Sequence, residues 1–214
     1  MAKFVPMEVV LLNKMGTDLD IANAARVTLA NHHEVMTIGD VKLLNYLAEN
    51  GHWSPFSHVS MQFRIKAPIY IARQLAKHQV GASWNEMSRR YVSKEPEFFR
   101  QYMWNAQEGV KQGSGSDIIE GMDILLENNT EDALLAYKCL LREGVAPEAA
   151  RAVLPQNMMT EWIWTGSVYF FSRVVKLRNH PHAQKEARWI AENIQRYMEK
   201  HFPYAAEALK REGK

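Results

Sequence analysis

The clearest pattern along the chain has a period of two. Val59, Met61, Phe63 and Ile65 alternate with Ser60, Gln62, Arg64 and Lys66, which predicts a half-buried and therefore antiparallel strand. Phe4 to Leu12 is apolar and β-branched enough for an earlier strand. Elsewhere the period is helical. Asp18 to Leu29 sets Ile21, Ala25 and Thr28 or Leu29 on one face. Asp40 is expected to cap a helix through Glu49, with Val41, Leu44 and Leu47 inward and Gly51 as its stop. Pro68 suits the first turn of a helix running to about Gln79, after which Gly81 and Ala82 open a loop holding Ser83 to Tyr91.

Lys94 to Gly115 reads as irregular, with Lys111 to Ser116 its most flexible part. Asp117 with Glu120 resembles a capping box for a helix carrying Ile118, Met122, Leu125 and Leu126. Thr130 is expected to cap the next helix, with Leu134, Tyr137 and Leu141 inward. Pro147 to Leu154 reads as a short helix between two prolines, and Ala183 to Lys200 as a last one carrying Ala187, Ile190, Ile194 and Met198 at helical spacing. Strands early and helices late favour an α+β fold over a doubly wound one: an antiparallel sheet packed with helices, the C-terminal half helix-rich. A chain of 214 residues without internal repeat or long linker fits one domain, 1–214.

Charge narrows the function. A formal net charge of +2 is too small for a general nucleic-acid binder, so no nucleic-acid partner is expected. No run approaches the roughly 18 apolar residues of a membrane span, and the start has no signal-like apolar stretch. A soluble, cytoplasmic protein without a membrane partner is the expectation. The single cysteine, Cys139, excludes an intramolecular disulfide and thiolate metal clusters. Its apolar surroundings, Ala133 to Leu141, make it a buried packing residue rather than a nucleophile. His32-His33-Glu34 and His180-Pro181-His182 read as surface or loop histidines, and no metal is expected. Neither a dinucleotide-binding turn nor a phosphate loop is present; Gly113 and Gly115 read as loop.

The chemistry concentrates in two places. Ile71 to Tyr91 holds Arg73, Gln74, Lys77, His78, Gln79, Asn85, Glu86, Ser88, Arg89 and Arg90 among core-like residues. Gln74, Lys77 and His78 would share a helix face, and Glu86, Ser88 and Arg90 one side of an extended segment. Cations with a carboxylate and a hydroxyl between them suit an anionic, hydrogen-bonding ligand such as a nucleotide, with a solvated face as the alternative. Near the C-terminus, Arg151 lies between Ala150 and Ala152 in an apolar helix, and Arg178 precedes the His-Pro-His turn. A charge in such a helix is costly unless paired or bound to an anion, and a structural ion pair is the alternative for each.

These residues resemble the flavin-dependent thymidylate synthases. The family signature is Arg-His-Arg, seven residues, then Ser, within a pattern ending Asn-Glu-x-Ser-x-Arg-Tyr; here stand Lys77-His78-Gln79 and Asn85 to Tyr91. Lys66 to Gln74, Gly51 to His58, Asn23 to Val27, Ala150 to Pro155, Trp164-Thr165, Leu177-Arg178 and His182 to Gln184 are similar in order and spacing, so the resemblance covers nearly the whole chain. The departures are Lys77 and Gln79 in place of arginines, one extra residue between Gln79 and Ser88, and Ser167, Tyr169 and Arg173 where the family has Asn, Arg and Asn at the flavin.

The resemblance implies reductive methylation of deoxyuridylate (dUMP) to dTMP. Methylenetetrahydrofolate would supply the carbon and NADPH, through FAD, the reducing equivalents, without a cysteine nucleophile. Arg178 and Ser88 would be catalytic, Arg178 stabilising the uracil as its imide loses a proton. Ser88, Arg90 and Arg151 would hold the phosphate, with Gln74, Lys77, Glu86 and Arg89 completing the substrate site. Ser54, Lys77, His78, Gln79, Glu86, Ser167, Tyr169, Arg173 and His182 would line the flavin. Family members are homotetramers with sites at subunit interfaces. The rival readings are a flavin- and folate-dependent nucleotide hydroxymethylase, a non-catalytic nucleotide-binding module, and an interaction protein.

Overall fold

The computed structural model describes residues 1–91, 94–107 and 115–211; Lys111 to Ser114, and with them Gly113, lie outside the described residues. The fold is α+β, as the hydrophobic pattern implies. A four-stranded antiparallel sheet runs in the order β2-β3-β6-β4, formed by β2 (Glu8–Met15), β3 (Ser60–Pro68), β4 (Ala82–Glu86) and β6 (Met159–Ser167). The alternating segment is β3, with Val59, Met61, Phe63 and Ile65 all fully buried. The early strand is broken in two, a short β1 (Lys3–Phe4) and then β2, because Pro6 between them has no N–H for a ladder. Ser83 to Tyr91, read as loop, begins as β4: Ala82 and Trp84 are half-buried while Ser83 and Asn85 are exposed, the period of a strand. The late strand β6 had no counterpart in the sequence reading.

The contacts divide the described chain into two compact units. The first comprises Met1–Glu8, Ile65–Lys77 and Asn85–Trp162. In it β1 pairs in parallel with β5 (Glu97–Phe98), Lys3 opposite Glu97 and Phe4 opposite Phe98. Its helices are α3 (Ile69–Leu75), α4 (Met122–Arg142) and α5 (Pro147–Ala150). Phe98, Leu134, Tyr137, Ala150 and Met158 form the core between them.

Three expectations change here. The helix after Pro68 ends at Leu75 rather than near Gln79, closed by the Ala76 N–H on the Ala72 carbonyl at 2.8 Å. The inward apolar period stops there, since Val80 is 74% exposed. Lys77 and His78 therefore do not share a helix face with Gln74. The two helices expected around Thr130 are one, α4, entered through Gly121 in the left-handed region rather than through an Asp117–Glu120 box. Thr130 sits inside it, its hydroxyl donating to the Leu126 carbonyl at 2.7 Å, a bond that satisfies the side chain without ending the helix. Cys139 is exposed, because Leu134 and Tyr137 set the inward face of α4 and position 139 lies off it.

The second unit comprises Val9–Arg64, His78–Trp84 and Ile163–Lys214. It holds α1 (Asp18–Arg26), α2 (Ile38–Glu49), α6 (Val168–Arg178), α7 (Lys185–His201) and α8 (Pro203–Leu209). Helix α1 gives way at Arg26 to a 3-10 turn, so Thr28 and Leu29 are exposed rather than inward. The cap of α2 is Thr37, not Asp40: the Thr37 hydroxyl accepts the Asp40 N–H at 3.3 Å and the Asp40 carboxylate accepts the Thr37 N–H at 2.8 Å. Ala187, Ile190, Ile194 and Met198 are buried along α7 as their spacing predicts. Phe63 is fully buried and meets Phe171 edge-on at 5.0 Å and Tyr197 at 5.6 Å. Among the described residues no helix is long and apolar enough to cross a membrane.

Candidate active site

The expected site residues fall into two groups, one in each unit. Gln74, Lys77, Glu86, Ser88, Arg89, Arg90 and Arg151 belong to the first unit. Ser54, His78, Gln79, Ser167, Tyr169, Arg173, Arg178 and His182 belong to the second.

In the first unit β4 ends at Glu86, whose carboxylate accepts the Thr160 hydroxyl at 2.7 Å. The Met87 N–H continues to the Glu161 carbonyl at 2.8 Å. The chain then turns, with the Tyr91 N–H on the Ser88 carbonyl at 3.1 Å. Glu86, Ser88 and Arg90 are thus not aimed one way by an extended segment. The turn instead folds Arg90 back on Ser88: its backbone N–H reaches the Ser88 Oγ at 3.3 Å and its Nε at 3.4 Å. The Arg90 guanidinium lies over the exposed Tyr91 ring, 5.0 Å from its centroid. A hydroxyl and a guanidinium held together on an exposed turn can grip a phosphate oxygen.

Arg89 differs. It is 6% exposed and donates to the Lys94 carbonyl, while its Nε is buried with no hydrogen-bond partner among the described residues. Burial pushes its guanidinium below the ordinary range, against the opposing pull of Tyr137 and Glu97. The short helix around Arg151 is α5 followed by a 3-10 turn, and Arg151 is exposed, its Nε donating to the Glu148 carbonyl at 3.2 Å. The burial cost that singled it out is therefore absent. Gln74 is half-buried on α3, and Lys77 is exposed beyond its end.

In the second unit α6 organises the group. Ser167 caps it, its Oγ accepting the Phe170 N–H at 3.0 Å. Gly166 before it admits no side chain, since a Cβ there would stand 2.4 Å from the Phe170 ring. Tyr169 and Arg173, one turn apart, lie on adjoining positions of the helix, and Arg178 is its last residue. Tyr169 meets Trp53, itself 53% exposed, at 5.9 Å between ring centroids. Arg173, Ser54, Gln79 and His182 are exposed, and the His182 ring lies 5.2 Å from that of His180.

The central contact joins His78 to Arg178, whose Nε donates to the His78 Nε2 at 3.0 Å. The His78 ring lies 6.4 Å from Trp164, a fully buried residue walled by Trp84, Phe170 and Phe171. Burial, then the positive charges of Arg178 and Arg173, press the His78 pKa down to about 4. Burial also lowers that of Arg178, which stays cationic. A neutral imidazole thus receives a bond from a half-buried cation.

A ring-bearing, anionic cofactor suits this group. Trp53 offers an exposed aromatic face beside the half-buried Tyr169, and Arg173 an exposed cation one turn away. Among the described residues there is no group of three metal-ligating side chains. Sequence reasoning missed Trp53 and Trp164 as individual contributors, although both lie in segments it singled out. Trp53 directly before the turn-forming Ser54-Pro55 pair was the available signal.

Residues 10–204 match the family model of the thymidylate synthase complementing protein. The chain is 36% identical over 197 residues to a flavin-dependent thymidylate synthase of Thermus thermophilus, covering 91% of this chain and 72% of that protein. It is 34% identical over 205 residues to one of Thermosipho africanus, covering 93% and 89%. Among solved structures it is similar to the UMP/dUMP methylase PolB of Streptomyces cacaoi bound with 5-Br dUMP. That similarity has a TM-score of 0.88 at 28% identity and covers 100% of this chain and 98% of that one.

Proposed function

The chain belongs to the thymidylate synthase complementing protein family, and from that premise we propose that it is a flavin-dependent thymidylate synthase. It is a methyltransferase enzyme and converts dUMP to dTMP. Methylenetetrahydrofolate is the carbon donor, and NADPH is the reductant by way of FAD. The observation that carries the reading is the half-buried Arg178 cation held by an uncharged His78.

The reaction needs a nucleophilic uracil carbon 5. Cys139 is exposed on α4, and no thiol attack is invoked. Polarisation is the alternative. The Arg178 guanidinium stabilises negative charge on the ring imide, and its partial burial strengthens that effect by removing solvent screening. Ser88 and Arg90 bind the substrate phosphate, supported by their contact on the exposed turn. Gln74, Glu86 and Arg151 complete the substrate site on the family resemblance. Arg89 is assigned a structural part, supported by its burial and its bond to the Lys94 carbonyl. Trp53, Tyr169 and Arg173 hold the FAD, with Ser54, Lys77, Gln79 and His182 contributing on the family resemblance. When bound, the flavin supplies the hydride transfer that no side chain can perform. A homotetramer with sites at subunit interfaces is proposed on the same resemblance. The exposed Ile124, Leu125 and Leu135 of α4 support subunit contact.

The test is the mass of the product after incubation with nucleotide, methylenetetrahydrofolate, FAD and NADPH, run in parallel on dUMP and UMP. A methylated dUMP dependent on both FAD and NADPH is expected. A hydroxymethyl product, or an unmodified nucleotide from the folded protein, contradicts the reading. The likeness to a UMP/dUMP methylase favours one second reading, in which UMP is methylated as well.

A further inference from the structure

Two arginines of the second unit have different partners. Arg26 donates to the carboxylate of Asp40, which neutralises it. Arg178 donates through Nε to an imidazole nitrogen, His78 Nε2, at 3.0 Å. A guanidinium is planar, so an acceptor at Nε restricts the orientation of the whole group. A carboxylate in that place would bring a negative charge of its own, whereas an unprotonated ring brings none.

We propose that His78 is a positioning residue for Arg178: its neutral ring, protonated on Nδ1, accepts the Arg178 Nε–H and sets the plane of the guanidinium without neutralising it. This rests on the reading of Arg178 as the group that stabilises the uracil anion. The surroundings keep the ring an acceptor. From α6 the charged groups facing it are Arg178 and Arg173, both cations that oppose a second proton. From β6 it meets Trp164, which carries no charge and is walled in by Trp84, Phe170 and Phe171. With its pKa near the bottom of its range, about 4, the ring stays unprotonated throughout neutral pH. The family resemblance alone would make His78 a flavin contact; its bonded partner here is the arginine.

The test compares H78Q, H78L and H78E in the flavin-loaded enzyme by tritium release from 5-tritiated dUMP. H78L is expected to lower kcat by about 100-fold through loss of orientation, with flavin content preserved. H78Q places a neutral amide oxygen near the Nε2 position and is expected to recover about tenfold of that loss. H78E keeps an acceptor but cancels the charge, and stays as low as H78L. Wild-type kcat should fall on the acid side as His78 titrates near a pKa of about 4, and H78Q should lack that limb. Equal losses in H78Q and H78L, or flavin loss in each, overturn the proposal. A second readout does not need turnover: exchange of the Arg178 Nε–H, followed by nitrogen-15 NMR and assigned through R178K, should accelerate in H78L. Unchanged exchange overturns the contact. A wild type that releases no tritium overturns the thymidylate synthase reading instead, while the exchange measurement still decides whether His78 holds Arg178.

Discussion

The Asp18 carboxylate accepts the backbone N–H of Ala205 at 2.9 Å and that of Tyr204 at 3.1 Å, so the first residue of α1 caps the start of α8 from 187 positions away. The two N–H groups lie in the first turn of α8, where an anion is favoured. Burial nevertheless raises the Asp18 pKa, outweighing the two backbone bonds that lower it.

Asp18→Ala is expected to destabilise the fold by about 2 kcal/mol, since it leaves two helix-start donors unpaired; urea denaturation measures it. Asp18→Asn, which keeps an acceptor, should cost less. The folded pKa lies above the unfolded one, so the native state binds more protons between the two. Stability attributable to this group falls as pH rises through that window, and Asp18→Asn should remove the slope.

Asp40 acts in the opposite direction. It is fully buried, bonds Thr37 twice, lies 3.1 Å from His33 Nδ1 and pairs with Arg26, whose side chain is 12% exposed. Burial works to raise its pKa, but these partners outweigh it and hold the carboxyl well below the usual range. Its contribution is therefore present above the unfolded value of 3.8 and lost as pH falls through the folded one. Asp40→Ala strands the Arg26 charge and should cost about 3–5 kcal/mol. A calorimetric melt unchanged from wild type contradicts this.

Arg178→Ala should lower kcat by about 1,000-fold with the melting temperature near wild type, because the side chain closes α6 without filling its core. Steady-state kinetics beside circular dichroism separates the two effects.

Arg173→Ala should weaken flavin retention about tenfold by removing the exposed cation one turn from Tyr169. Flavin content after gel filtration measures it, and a full complement argues against the assignment.

Cys139→Ser should keep full turnover. The residue is exposed on α4, so the exchange removes neither packing nor a nucleophile. A folded variant without activity would reopen thiol chemistry.

Much of this was legible along the chain. The alternation from Val59 to Ile65 and the spacing of Ala187, Ile190, Ile194 and Met198 pointed directly to buried faces, because burial repeats with the period of the element. Residues bearing the family signature could be named without coordinates. Their surroundings could not. Arg89 and Arg90 are neighbours in a row of polar residues, yet one is 6% exposed and the other lies on the surface over Tyr91. Arg151 and Cys139 were misjudged for one reason: local composition suggested an apolar setting, while the side chains point outward.

The sequence by itself determined the fold class, the family and the residue types gathered for an anionic ligand, since periodicity and ordered motifs are properties of one dimension. The tertiary structure alone decided where α3 stops, that Thr37 rather than Asp40 caps α2, and that His78 meets Arg178. The physical reason lies in separation. Helix ends and charge partners depend on which groups lose water together, and His78 and Arg178, 100 residues apart in the chain, come within hydrogen-bond reach only after folding.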